Sequence, residues 1–408
     1  MALDKLNKAL AAEVEALEAS GRAKGKENVV TGVIHAKDGN GPRYLLEGHG
    51  DKEFLRMNAN SYLGLSLRED MIEAEEKGAK EFGVGPGAVR FIAGTYKAHT
   101  NLEERLAKFH HRDEGMIFSA AYVTSIGVIL PLTSKETVLI SDELNHNCII
   151  QAMRLGKPAG KYIYKHNDMQ DLEKALQENI GKAKRALVIT DGIFSMRGDN
   201  APLDELVEIC KKYDDKYEEG VISIVDDSHG VGAIGDTGRG TEEFTNTKVD
   251  VLIGTLGKAY GVNGGYVVAS NDVIRYLRET APTYIYSNPI TVSETEAAIK
   301  AIDILDSDEG KKILKNLKDR TEQFEQGIKD AGYETIEGAH PVVPLMTRDT
   351  AKTKELVKFL LDNGVLATGL AFPVVPKGDE EIRFQISGEH TAKDIDYVLE
   401  VLRKYNQQ

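Results

Sequence analysis

Between residues 102 and 270 short apolar runs alternate with helix-patterned stretches, and that alternation narrows the possible folds more than any other feature of the sequence. The runs 115–118, 137–140, 186–189, 221–225, 251–253 and 265–269 have the length and β-branched content of buried strands. The stretches 102–110, 172–179 and 203–213 repeat their apolar residues at helical spacing. Apolar strands separated by helices predict an α/β fold around a mainly parallel central sheet.

At 408 residues the chain exceeds one ordinary core, and the pattern changes at both ends. Leu3, Leu6, Leu10, Val14 and Leu17 fall at helical spacing within residues 1–21, and residues 28–57 read as a strand-rich arm. Beyond Pro289 come a helical segment to Gly332, strand-like pieces near 341–346 and 381–387, and a last helix over 391–405. The expected division is an arm over 1–57, a large α/β unit over 58–288 and a small α+β unit over 289–408. A net charge of −14 argues against a nucleic-acid or anionic-membrane partner, since both need clustered Lys and Arg. No apolar stretch is long enough to span a membrane. Cys148 and Cys210 are the only cysteines and lack metal-type spacing, which predicts neither a disulfide framework nor a metal site and fits a cytoplasmic protein.

One lysine stands out by its setting. Lys258 follows an apolar run in Asp250-Val-Leu-Ile-Gly-Thr255-Leu-Gly257-Lys258-Ala259, where small neighbours let a flat ring approach and the strand end fixes the amine's direction. The spacing Gly254-x-x-Gly257-Lys258, with no Ser or Thr after it, is too short for a phosphate-binding P-loop. A second run, 221–225, ends in Asp226-Asp227-Ser228-His229. A pyridine nitrogen stays protonated only beside a fixed anion, and Asp226 supplies one. His229 is spaced to reach a phenolic oxygen or an acyl carbonyl. Groups at the carboxyl ends of strands in one sheet sit where α/β enzymes bind ligands, so the pair predicts pyridoxal 5′-phosphate with Lys258 as its Schiff-base amine. Residues 116–127 read as a strand followed by a helix start, whose N–H groups bind a phosphate without a basic side chain. His146, in Ser141-Asp-Glu-Leu-Asn145-His146-Asn147, either stacks on the ring or caps a helix.

Together these residues resemble the α-oxoamine synthase family, fold-type I pyridoxal-phosphate enzymes that join an amino acid to an acyl-CoA. The match covers about 58–390 and rests on Asn60-Ser-Tyr62-Leu-Gly64, Gly87-Ala-Val-Arg90-Phe-Ile-Ala-Gly94-Thr95, Asp191-Gly-Ile-Phe-Ser195, Asp226-Asp-Ser-His229, Gly254-Thr255-Leu-Gly-Lys258, Ser287-Asn288 and Ile382-Arg383. The resemblance implies Lys258 as Schiff-base lysine and proton shuttle, Asp226 under the pyridinium, His229 at the phenolic oxygen and His146 stacked on the ring. It also implies backbone donors at Ala121 and Tyr122 for the phosphate, a hydroxyl from Thr255, and Ser287 reaching across a homodimer. Ser195 would lie near the cofactor face, Asp191 at the neighbouring acidic position, and Arg383 with Asn60 on the substrate carboxylate.

Within the family the runs 89–95, 190–196 and 373–378 are most similar to glycine C-acetyltransferases, which condense glycine with acetyl-CoA to 2-amino-3-oxobutyrate and run the reverse cleavage. The chain departs from the family in three places: Ser125 stands where Asn is usual, Arg197 where Asp is usual, and the arm before Asn58 is longer. The alternatives are a decarboxylating member that takes a longer acyl-CoA and an aminotransferase. Aminotransferases of this fold tend to carry Tyr three positions after the pyridinium Asp, where this chain has His229.

Overall fold

The computed structural model describes residues 2–372 and 375–407. Pro373 and Val374, which open the 373–378 run, lie outside the described residues. A seven-stranded sheet forms the centre. Its spatial order is Glu114–Phe118, Gly265–Ala269, Val251–Thr255, Val221–Asp226, Arg185–Asp191, Thr137–Asp142 and Gly160–Tyr164. Every neighbouring pair is parallel except the two made by Gly265–Ala269, which runs against both of its neighbours. The mainly parallel sheet expected from the sequence is therefore present.

Burial on both faces explains why these strands read as continuous apolar runs. Ile117, Val138, Ile140, Val188 and Leu252 pack into one hydrophobic cluster, while Met116, Leu139, Leu187, Ile189 and Ile253 pack into another. Alternate residues of a strand point to opposite faces, so every strand except Gly160–Tyr164 feeds both clusters. The helix Ala121–Leu132 starts hard against Gly265, where a Cβ would fall 2.5 Å from Ala121 Cα. Glycine there lets a helix N-terminus sit at the sheet's end.

A smaller antiparallel sheet has the order Glu334–Thr335, Val342–Met346, Glu381–Gln385 and Thr368–Leu370. The helices Asp308–Asp330 and Ala392–Asn406 accompany it, and Phe324 meets Phe384 edge-on at 4.9 Å. The two ends of the chain meet in this region, because Leu55–Arg56 pairs in parallel with Val365–Leu366. The N-terminal helix spans Ala2–Ala19, and its Leu3, Leu6, Leu10, Val14 and Leu17 stripe is exposed in the single chain. Among the described residues no helix is long and apolar enough to cross a membrane, and no cluster of side chains has metal-site geometry.

Candidate active site

Three parallel strands end in carboxylates: Asp142, Asp191 and Asp226. Asp191 and Asp226 are register partners on neighbouring strands. Around their ends Ala121, Tyr122, His146, Asp191, Ser195, Asp226, His229 and Lys258 line one cavity of about 160 Å³, together with Cys148, Ile193 and Ser228. A void of about 150 Å³ is enough for one benzene ring, so the space suits a single aromatic ring. Eight of the twelve residues singled out in the sequence converge here.

Asp226 is fixed from two sides. Its Oδ2 accepts from Ser125 Oγ at 2.7 Å and lies 3.6 Å from Cys148 Sγ, and its Oδ1 accepts from the Ser228 N–H at 3.2 Å. Asp191 is buried, and desolvation together with the Asp226 charge raises its pKa well above the ordinary carboxyl range. It accepts the His146 N–H at 2.9 Å. The carboxyl beside Asp226 in sequence has a different fate. Asp227 points away, accepts the Thr241 N–H at 2.7 Å, and leaves no room for a Cβ at Gly230, which would fall 2.1 Å from its Oδ1. Burial pushes its pKa up to about 7. The Asp-Asp pair thus divides into one cavity carboxylate and one structural carboxyl.

Lys258 is half-buried, and its amine makes no hydrogen bond or ion pair with a described residue. Burial lowers its pKa to about 8, against the pull of Asp226 and Asp191. Thr255 does not line the cavity. Its hydroxyl donates to Gly264 O at 3.3 Å and accepts from the Gly257 N–H at 3.1 Å, so it holds the turn that presents Lys258. His146 both lines the cavity and caps the helix Asn147–Leu155, its Nδ1 accepting from the Cys148 N–H at 3.3 Å. Burial lowers its pKa.

His229 sits in a frame that the sequence did not announce. Its Nδ1 is 2.7 Å from Tyr62 Oη, and its carbonyl accepts from His340 Nε2 at 2.8 Å. Because His340 Nδ1 accepts the Val342 N–H, the proton of that neutral ring lies on Nε2. Burial depresses both imidazole pKa values, that of His340 to about 3. Tyr62 Oη also lies 3.3 Å from Asn60 Oδ1, which accepts from Arg383 Nη2 at 2.9 Å. Arg383 and Asn60 therefore adjoin the cavity through Tyr62 without lining it, and Arg383 Nε is buried with no partner. Ser287 lies apart, after the short helix Pro282–Ile285 and beside the exposed Tyr286.

Two of the three departures seen in the sequence, Ser125 and Arg197, lie near the cavity. Ser125 bonds Asp226, and Arg197, which borders a neighbouring cavity with Ser195, bonds Asp199 Oδ2 at 3.1 Å. Arg90, from the 89–95 run, is buried and paired through both Nη atoms with Glu103 at 3.1 Å, a structural bridge rather than a cavity contact.

These residues fit pyridoxal 5′-phosphate on three observations. An amine of lowered pKa and a fixed carboxylate share a ring-sized space. The first N–H groups of the helix Ala121–Leu132 have no partner within that helix, and no side chain caps it. Ser228 Oγ, also on the cavity wall, is buried without a hydrogen-bond partner.

The comparisons with known proteins agree. Residues 52–402 match the family described as aminotransferase class I and II. An 8-amino-7-oxononanoate synthase of Thermosipho melanesiensis is 40% identical over 86% of this chain and 88% of its own. The mitochondrial 2-amino-3-ketobutyrate coenzyme A ligase of Homo sapiens is 38% identical over 98% and 92%. Serine palmitoyltransferase from S. paucimobilis, in a structure with bound PLP and myriocin, superposes with a TM-score of 0.86 at 26% identity, covering 98% of this chain and 97% of that one. With the cavity geometry, these likenesses make the chain a member of the class I and II aminotransferase family and, within it, of the pyridoxal-phosphate-dependent α-oxoamine synthases.

Proposed function

We propose that this enzyme condenses glycine with acetyl-CoA to 2-amino-3-oxobutyrate and CoA, and runs the reverse cleavage. The observation that carries the chemistry is the convergence of Lys258, Asp226, His146 and His229 on one ring-sized cavity. When bound, pyridoxal 5′-phosphate supplies an aldehyde for amines and a protonated ring that accepts the electron pair left at glycine Cα. Lys258 Nζ would hold the cofactor and, once glycine is bound, would take the Cα proton. Asp226, anchored by Ser125 and the Ser228 N–H, keeps the ring nitrogen protonated. Asp191 lies beside it, its pKa raised by burial and by the Asp226 charge.

His146 would cover the ring face, its orientation set by its bond to the Cys148 N–H. The 2.7 Å contact between Tyr62 Oη and His229 Nδ1 fixes the imidazole, leaving Nε2 to serve the phenolic oxygen or the thioester carbonyl. The Ala121 and Tyr122 N–H groups hold the phosphate, with the Thr255 turn behind them. Ser195 closes the cofactor face. Arg383, steered by Asn60, grips the substrate carboxylate through a guanidinium fork with open donors. Glycine Cα bonds to the thioester carbonyl carbon as the C–S bond breaks and CoA leaves as a thiol.

We place the enzyme in the cytoplasm as a homodimer in which the partner's copy of Ser287 completes the phosphate site. Apolar side chains left open in one chain support this: Tyr286 is 77% exposed, and Phe91 and Ile92 are each 66% exposed. The short-acyl reading draws support from the coenzyme A ligase alignment, which runs over 403 residues against 356 for the oxononanoate synthase. The second reading, a decarboxylating condensation with a longer acyl-CoA, is favoured by the 40% identity of that synthase. The two separate in one assay of CoA and carbon dioxide release, with glycine, alanine and serine crossed against acyl-CoAs. Carbon dioxide released in step with CoA overturns the acetyl reading.

A further inference from the structure

A second cavity, of about 200 Å³, adjoins the first at Ser195, which borders both. Its walls are mostly apolar, with Leu144, Phe194, Met196, Met346 and Val375 among them; Arg197 and Asp379 also border it, and Glu381 is the buried charged residue in the lining. Glu381 is 3% exposed, its Oε1 is buried without a partner, and its carboxyl makes no hydrogen bond to a described residue. On the strand Glu381–Gln385 it stands two positions from Arg383, so both side chains leave the same face. A buried carboxyl without a partner is costly to keep, which points to a role beyond packing.

We propose that this cavity receives the acyl group of the thioester and that Glu381 sets its chemistry, admitting uncharged chains and rejecting those that end in carboxylate. The inference rests on the condensation assigned above. The volume exceeds that of a methyl group, since about 150 Å³ already takes a benzene ring, so neutral chains of up to roughly six carbons fit beside acetyl. None of the cations near Glu381 bonds its carboxyl: Arg383 Nη2 meets Asn60, Arg197 Nε meets Asp199, and Arg348 meets Glu334 and Asp379. Burial holds the Glu381 pKa near 7, so at and above neutral pH an incoming carboxylate meets a like charge in an apolar space. By its name the 8-amino-7-oxononanoate synthase makes a product with a carboxylate at the far end of the acyl-derived chain. Of the two carboxylates bordering this cavity, Asp379 is paired with Arg348, and Glu381 is the unpaired one that opposes such a chain.

Hexanoyl-CoA and adipoyl-CoA form a matched pair, six carbons each, differing in the terminal carboxylate. The test measures kcat/KM for CoA release with glycine and acetyl-, hexanoyl- or adipoyl-CoA at pH 8, in the holoenzyme and in Glu381→Gln and Glu381→Arg. The expected result is that adipoyl-CoA falls at least 100-fold below hexanoyl-CoA in the unaltered protein. Glu381→Gln should narrow that ratio at least tenfold, and Glu381→Arg should bring it to unity or beyond. Near-equal use of the two thioesters by the unaltered enzyme overturns the proposal, as does a ratio that neither substitution moves. Turnover of acetyl-CoA alone, with hexanoyl-CoA inert, shows that the cavity does not hold the acyl chain and overturns the proposal while leaving the acetyl condensation standing. No CoA release from any thioester overturns both readings together.

Discussion

The two sheets that meet at the site treat their polar groups in opposite ways. At the carboxyl ends of the seven-stranded sheet Asp226 is held by Ser125 and Ser228, Asp191 by the His146 N–H, and His229 by Tyr62 and His340. On the strand Glu381–Gln385 of the smaller sheet, Arg383 keeps a buried Nε without a partner and Glu381 keeps its whole carboxyl free. Groups fixed by the protein serve steps common to every substrate, because their geometry is set before anything binds. Groups left open gain their partners from the substrate, so they choose among substrates. The exception on the large sheet is Lys258, whose proposed partner is the cofactor.

The sharpest break of this contrast comes from the large sheet. Lys258→Ala should lower CoA release by about 10⁴-fold or more with every amino acid and thioester alike, since one amine serves both exchange and proton transfer. A loss confined to one substrate pair would assign Lys258 to selection instead. Asp226→Asn should cost about 10²–10³-fold, again for all substrates, and should change the cofactor's absorbance spectrum. A near-normal rate with an unchanged spectrum would return the role to Asp227, against its Thr241 bonds.

The small sheet should answer differently. Arg383→Lys should raise the KM for glycine by about 30-fold while kcat moves by only a few-fold, because a point charge cannot reproduce the fork. Equal changes in both constants would place Arg383 with the catalytic groups. For the cofactor-free protein, covalent capture of pyridoxal 5′-phosphate should slow about tenfold per pH unit below 8 and level off above it. The sign follows from burial, which lowers the Lys258 pKa to about 8, so the ammonium that cannot attack predominates only below that value. Stopped-flow capture rates still climbing toward pH 10 would mean a solvated lysine. The smallest effect is expected at Ser125→Ala, about fivefold in turnover, with Ser125→Asn restoring most of it by again donating to Asp226.

What the sequence disclosed follows the same division. The strands were legible because both faces are buried, except Gly160–Tyr164, an edge strand whose Lys161 and Ile163 are exposed and break the apolar run. Their ends were less legible, since Asp142, Asp191 and Asp226 extend the ladders as polar residues that no hydrophobic pattern includes. Lys258, Asp226, His229 and His146 could be read because each follows an apolar strand run. Tyr62 and His340 could not, because they meet His229 across 167 and 111 positions. Ser125 and Cys148 likewise reach Asp226 over 101 and 78 positions. Only folding brings such pairs together. Glu381 was visible as a residue beside Arg383, but its isolation is a property of the walls around it.

The hydrogen bond from His340 to the main chain of His229 ties the strap leading into Val342–Met346 to the catalytic turn. Val342–Met346 is the ladder partner of the strand that carries Arg383, with Pro344 opposite it. On the roles proposed above, an amino acid seated at Arg383 would act on the same framework that holds the His229 imidazole. By thermodynamic linkage, whatever factor the amino acid contributes to acyl-CoA affinity, the acyl-CoA must return to the amino acid. Saturating one substrate should then shift the dissociation constant of the other, and a cut at His340 should uncouple the two sites while leaving each able to bind alone.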